Sequence, residues 1–159
     1  MSELPAHRLD PRMLRVWYLS DVVAMAVVAA LAVAAWLVVS HLGGDVFWVY
    51  LVTGVVGAIC LGDLLVSPRV EYATWRFDVT PTDVDLYHGV FVKKRVLVPL
   101  VRVQHVQTKQ GPLLRAHGLA SVTVSTAGES FEIPGLAEAD AEALRDRVAE
   151  LARLAKEDV

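Results

Sequence analysis

The sequence predicts an α+β membrane protein: a two-helix transmembrane hairpin, then a small domain of short antiparallel strands capped by a C-terminal helix. Three observations predict it. Apolar residues make up 55% of a 159-residue chain with mean hydropathy +0.46, yet 21% of the chain is charged, so the apolar excess must be concentrated in places. Two long apolar runs lie in the first half of the chain. Beyond Pro68 the hydrophobic period becomes two, and it reverts to helical after Pro134-Gly135.

Residues 22–40 hold 19 positions without a charge, and residues 46–66 hold 21 with Asp63 alone. At a rise of about 1.5 Å per residue, each run covers the roughly 30 Å of a bilayer's hydrocarbon core. A signal peptide does not suit the first run, which lacks a small-x-small cleavage site and leads straight into the second. A buried helix pair does not suit either, because residues 67–159 are too few to cover two such helices on all sides. Arg8, Arg12 and Arg15 precede the first run and Arg69 and Arg76 follow the second, while the connector His41-Leu42-Gly43-Gly44-Asp45 has no Lys or Arg. The positive-inside rule therefore expects a multi-pass protein of the inner membrane with both termini cytoplasmic. The expected division is a cytoplasmic N-terminal segment at 1–20, a transmembrane hairpin at 21–66 and a cytoplasmic domain at 67–159. Cys60, the one cysteine, lies in the second run and excludes an internal disulfide.

The short connector makes the helices antiparallel neighbours. Small residues recur every fourth position, Ala26, Ala30 and Ala34 on the first and Gly54, Ala58 and Gly62 on the second. Such ridges let backbones approach in lipid, so these six are candidate helix-contact residues, toward each other or toward another protein. Asp63 sits four residues from Ser67 near the cytoplasmic end, and neither run has a second ionisable group to relay protons to, which argues against a pore or carrier. Trp36, Phe47, Trp48 and Tyr50 are expected as interface anchors.

Pro68 is expected to break the second helix. Alternation of Ala73, Trp75, Phe77 and Val79 with polar neighbours then predicts a strand, Thr80-Pro81-Thr82 a turn, and Val84 and Leu86 the inward face of a second strand. His88-Gly89 is a hairpin-turn candidate, followed by a strand with Val90, Val92, Val96 and Val98 on one face. Pro99 ends that strand or marks it as an edge. Residues 101–108 read as a strand, and Gly118 ends a short helical piece. Ala120, Val122 and Val124 alternate with Ser121, Thr123 and Ser125, and Phe131 and Ile133 point inward from the next strand. Leu144, Val148, Leu151 and Ala155 form the apolar stripe of the final helix, with acids in its first turns and bases in its last.

Taken together, Val98-Pro99, Arg102-Val103-Gln104, Val106, Gly111-Pro112-Leu113-Leu114-Arg115, Gly118-Leu119-Ala120, Val122, Val124, Thr126-Ala127-Gly128 and Ile133-Pro134-Gly135-Leu136 resemble the bacterial pleckstrin-homology-like proteins of the YdbS-like kind. The resemblance implies two transmembrane helices ahead of one PH-like domain, a split, strongly bent β-barrel or sandwich closed by the helix. It carries over no catalytic residue. In eukaryotic relatives of the fold, phosphoinositide binding depends on basic residues at the first hairpin loop. Here that loop, Thr80-Pro81-Thr82-Asp83, has no Lys or Arg, so a specific inositol-phosphate site is not expected.

Charge is segregated along the domain. No acid lies between Leu86 and Gly128, where Lys93, Lys94, Arg95, Arg102, Lys109 and Arg115 are the candidate residues for anionic lipid or a partner; from Glu129 onward nine acids face four bases. Solvated edge strands protected from aggregation are the plainer reading of this ribbon. Aromatic residues do not interleave with the bases, which argues against nucleic acid. His88, His105 and His117 lack metal-ligand spacing, and Ser121, Ser125 and Ser130 lack a nucleophile elbow, so neither a metal, a cofactor nor catalysis is expected. The expectation is a non-enzymatic membrane-anchored module that scaffolds a protein partner or a second copy of itself. The alternative is a domain that senses anionic lipid through the basic ribbon.

Overall fold

The computed structural model describes residues 4–157; the outermost ends of the predicted N-terminal segment and cytoplasmic domain, residues 1–3 and 158–159, lie outside them. The element order is α1 (Arg12–His41), α2 (Phe47–Thr74), β1 (Arg76–Val79), β2 (Asp83–His88), β3 (Lys94–Pro99), a 3-10 turn (Leu100–Arg102), β4 (Val103–Lys109), α3 (Pro112–Ala116), β5 (Leu119–Thr126), β6 (Ser130–Ala137) and α4 (Glu138–Glu157). Two compact units result, Trp17–Arg69 and a second built from the chain up to Val16 together with Val70 onward.

In the first unit, α1 and α2 are long and apolar enough to cross a membrane. Gly43, at φ 70°, turns the connector, and Asp45 Oδ1 accepts a 2.9 Å bond from the Phe47 amide at the start of α2. Half-buried positions lie three, four or seven residues apart, at Met25, Val28, Ala32 and Val39 on α1 and at Val49, Thr53, Val56, Cys60 and Leu64 on α2. Of these, Val28, Ala32, Val49, Thr53 and Val56 line a groove between the two helices. Trp36, Phe47, Trp48 and Tyr50 are all exposed.

The second unit holds two three-stranded antiparallel sheets, β1-β2-β3 and β4-β5-β6. Both tight hairpins are closed by the same device. The Thr80 amide and hydroxyl donate to the Asp83 carbonyl at 2.9 and 3.0 Å, and the Thr126 amide and hydroxyl to that of Glu129 at 2.8 and 3.0 Å. The core gathers Val84, Leu86, Val98, Leu100, Val103, Leu119, Val122, Val124, Ile133 and Val148, each at most 2% exposed. Helix α4 packs on the 3-10 turn, β4, β5 and β6. Its centre of contact is Ala141, Val148 and Ala152, with Leu144, Leu151 and Ala155 only half-buried. The small alanines let the helix sit close, which shifts the buried stripe around the helix from the one the leucines suggest.

Several element boundaries differ from expectation, each for a local reason. Pro68 does not end α2, which continues to Thr74. Proline costs one backbone hydrogen bond, and that cost is offset where the following turn, from Val70 on, packs into the second unit. Ala73 is thus an exposed helical residue, and β1 begins only at Arg76. Val90 and Val92 lie in the β2–β3 turn, not on a strand, and β4 starts at Val103 because Leu100–Arg102 coil into the 3-10 turn. Strand β6 runs through Pro134, tolerated because β6 is an edge strand. Ser121 and Thr123 are buried although polar: β5 is the central strand, flanked by β4 and β6 at its edges and packed against α3 and α4.

The residues just before α1 belong to the second unit. His7 and Phe77 exchange two 3.0 Å backbone bonds, the Asp10 amide donates to the Gly135 carbonyl at 2.8 Å, and Leu9, Met13 and Val16 are buried. Asp10 caps α1 through a 2.9 Å bond from the Arg12 amide, and the same carboxylate holds the Arg12 guanidinium. That guanidinium also donates to the His117 carbonyl at 3.1 Å, and its hydrogen bond keeps the Asp10 carboxyl below its ordinary range.

Gly89 has φ 137°, and a Cβ there would collide with the Val92 carbonyl. Gly89→Ala is expected to destabilise the unit by about 3 kcal/mol, read as lost hydrogen-exchange protection in β2 and β3.

Candidate interaction surfaces

The hairpin β2–β3 carries the basic ribbon, and the structure treats its three bases differently. Arg95 reaches back to Asp85, whose side chain is only 9% exposed: Nε lies 3.1 Å from both carboxylate oxygens, and one terminal nitrogen lies 2.6 Å from Oδ2. The carboxylate is buried on the central strand, on the face opposite Val84 and Leu86, where only a paired, hydrogen-bonded charge is tolerable. Sequence reading missed this pair. An acid in the middle of "VDL", with a base on the next strand, was the signal for it. Lys93 and Lys94 are exposed, and neither side chain makes a hydrogen bond or ion pair among the described residues.

The other three bases are elsewhere. Arg102 sits in the 3-10 turn beyond the far end of β3, some 20 Å along the strand from Lys94. Lys109 ends β4, and Arg115 lies on α3. The six therefore occupy four places, and Lys93 and Lys94 are the adjoining pair of exposed charges. Ala26, Ala30, Ala34, Gly54, Ala58 and Gly62 are all exposed, and a Cβ on Gly54 or Gly62 would meet nothing within 4 Å. Asp21, just ahead of the first apolar run, lies within electrostatic reach of Asp63.

His88 stacks on Trp75 at 5.2 Å, His117 Nδ1 lies 2.9 Å from the Leu113 carbonyl, and His105 is exposed on β4. The Ser125 and Ser130 hydroxyls bond each other at 2.8 Å, and Ser121 reaches the Lys109 carbonyl at 3.5 Å. The geometry of these groups is that of turn and strand ties.

A cavity of about 820 Å³ opens where β3 passes through the 3-10 turn into β4, lined by Leu97, Pro99, Val101, Arg102, Gln104 and Phe131 among others. Both strands beside it are edges of their sheets. The Leu100 amide donates to the Thr82 carbonyl at 2.9 Å, extending the β2–β3 ladder. By its two-residue period, the backbone groups of Lys94, Val96 and Val98 face β2, while those of Arg95, Leu97 and Pro99 face outward. Pro99 thus brings its missing N–H to the side where no strand needs it. Leu97 is 60% exposed and Val101 42%. On α4, Lys156 Nζ donates to the Val103 carbonyl at 2.6 Å and fixes the start of β4.

Two three-stranded antiparallel sheets with a C-terminal helix packed on them, preceded by two apolar helices, define a membrane protein with a PH-like domain. Residues 13–152 match the family described as Bacterial PH domain, and the chain belongs to that family. It is 39% identical over 163 residues to the UPF0699 transmembrane protein YdbS of Bacillus subtilis (strain 168), with all of both chains covered. No solved structure gives a significant match.

Proposed function

We propose that this chain is a non-enzymatic scaffold of the inner membrane, both termini cytoplasmic, whose PH-like domain takes up an extended segment of a protein partner along the free edges of β3 and β4. One observation carries the reading: two successive edge strands flank an apolar-lined cavity of about 820 Å³, with Leu97 and Val101 exposed at its rim. An extended segment adding to such an edge gains main-chain hydrogen bonds and a pocket for alternate side chains. The small-residue ridges at Ala26, Ala30, Ala34, Gly54, Ala58 and Gly62 offer the same partner, or a second copy, a lateral surface in the bilayer.

A photo-cross-linking residue placed at Leu97 of the full chain in cells is expected to give a discrete protein adduct, and one at the exposed Glu150 none. Equal labelling from both positions, or none from Leu97, would refute edge docking.

A second reading, attachment to anionic lipid, is favoured by the exposure of Lys93 and Lys94 beside a run free of acids. It predicts energy transfer from a dye near position 92 to a headgroup dye that weakens as salt rises.

A further inference from the structure

We propose that Phe91 and Val92, at the tip of the β2–β3 hairpin, enter the headgroup and upper acyl layer of the anionic leaflet in which the chain is anchored, while Lys93 and Lys94 pair with its phosphates. Phe91 is 93% exposed and Val92 69%, the two adjacent apolar side chains that the second unit leaves most open to solvent. A phenylalanine gains nothing there from water. Four features make the tip a wedge and not a stray loop.

First, its shape is built. Gly89, at φ 137°, folds the turn so that the Val92 carbonyl closes over it. Second, its root is fastened: the Thr74 hydroxyl donates to the Gly89 carbonyl at 2.9 Å, and His88, the last residue of β2, stacks on Trp75. Third, its charge suits one occupant. Lys93 and Lys94 follow the apolar pair directly, and no acid lies between Leu86 and Gly128 to oppose a negative surface. Fourth, the bilayer is within reach. Thr74 lies eight residues past Val66, the end of the second apolar run, so the root of the tip is held within about 29 Å of it even by a fully extended chain. A tethered wedge need not bind strongly in isolation to be engaged at this effective concentration.

The charged half of this inference rests on the lipid reading above, and the test separates immersion from proximity. Full-length chain with Cys60→Ser and Val92→Cys, carrying a nitroxide, is reconstituted in phosphatidylcholine vesicles with phosphatidylglycerol. A label at Ala127→Cys, in the exposed β5–β6 turn, serves as the aqueous reference. The label at 92 is expected to collide with oxygen and be shielded from an aqueous nickel chelate, and the label at 127 to show the reverse. Phe91→Ser is expected to lower the inserted-to-aqueous ratio about tenfold. Each charge removed at Lys93 or Lys94 is expected to lower it roughly fivefold. Chelate access at 92 equal to that at 127 overturns the wedge, as does insertion indifferent to Phe91→Ser. If salt-sensitive energy transfer to headgroups persists while the label stays in water, the wedge fails and the basic-ribbon reading survives.

Discussion

A fragment beginning at Val70 is expected not to hold the native fold of the PH-like unit, although it contains every strand and the capping helix. The missing piece is small but lies in the core. Leu9, Met13 and Val16 are 3%, 5% and 5% exposed, and each such side chain contributes about 1.5–3 kcal/mol when buried. Their sum, about 5–9 kcal/mol before any repacking, is comparable with the whole stability of a small domain. The paired bonds between His7 and Phe77 and the Asp10–Gly135 bond would be lost as well. The check is amide dispersion and protease resistance of a fragment spanning 70–157, with and without a peptide spanning 4–16 supplied in trans. Rescue by the peptide is the expected result. A cooperative, protected fragment without it would show that the N-terminal stretch merely decorates the surface.

Breaking the Asp85–Arg95 pair should cost unequal amounts depending on which partner goes. Arg95→Met strands a carboxylate that is 9% exposed, and a loss of about 2–3 kcal/mol is expected, below the value for a fully buried pair because Arg95 itself is 32% exposed. Asp85→Asn removes the charge but keeps a hydrogen-bonding side chain beside Arg95, and should cost about 1 kcal/mol. The double variant Asp85→Leu/Arg95→Met should recover most of the loss, since the buried carboxylate is removed together with its partner. A double-mutant cycle by chemical denaturation in detergent measures these terms, and additive losses would contradict the pairing. There is a functional corollary. Reversing Lys93, Lys94 and Arg95 as a block would confuse unfolding with lost binding, so surface tests belong at Lys93 and Lys94, where substitutions should cost within about 0.5 kcal/mol.

How much of this was legible in the sequence depended on the range of the interaction. The hairpin helices, the Thr80 and Gly89 turns, the short helix ended by Gly118 and the edge character of β3 at Pro99 were readable because apolar runs, positive φ and a missing N–H are local properties. The exit of α2 was not. Pro68 is a local stop signal, overridden by packing of the next turn into a unit that closes only when distant residues meet. The basic ribbon was visible as a run of letters, but its division into a tied Arg95 and free Lys93 and Lys94 was not, because the β2–β3 register sets which acid each base can reach.

Composition and period alone determined that two helices are apolar enough for lipid and that a β-rich, helix-capped unit follows, because solvent partition and side-chain alternation need no knowledge of distant residues. Tertiary structure alone decided that the stretch from His7 to Val16 completes that unit, that the small-residue ridges are exposed, and that Phe91 stands in the open. Each of these is a question of which surface meets which. Surfaces far apart in the chain compete for burial, and only the closed fold settles that competition.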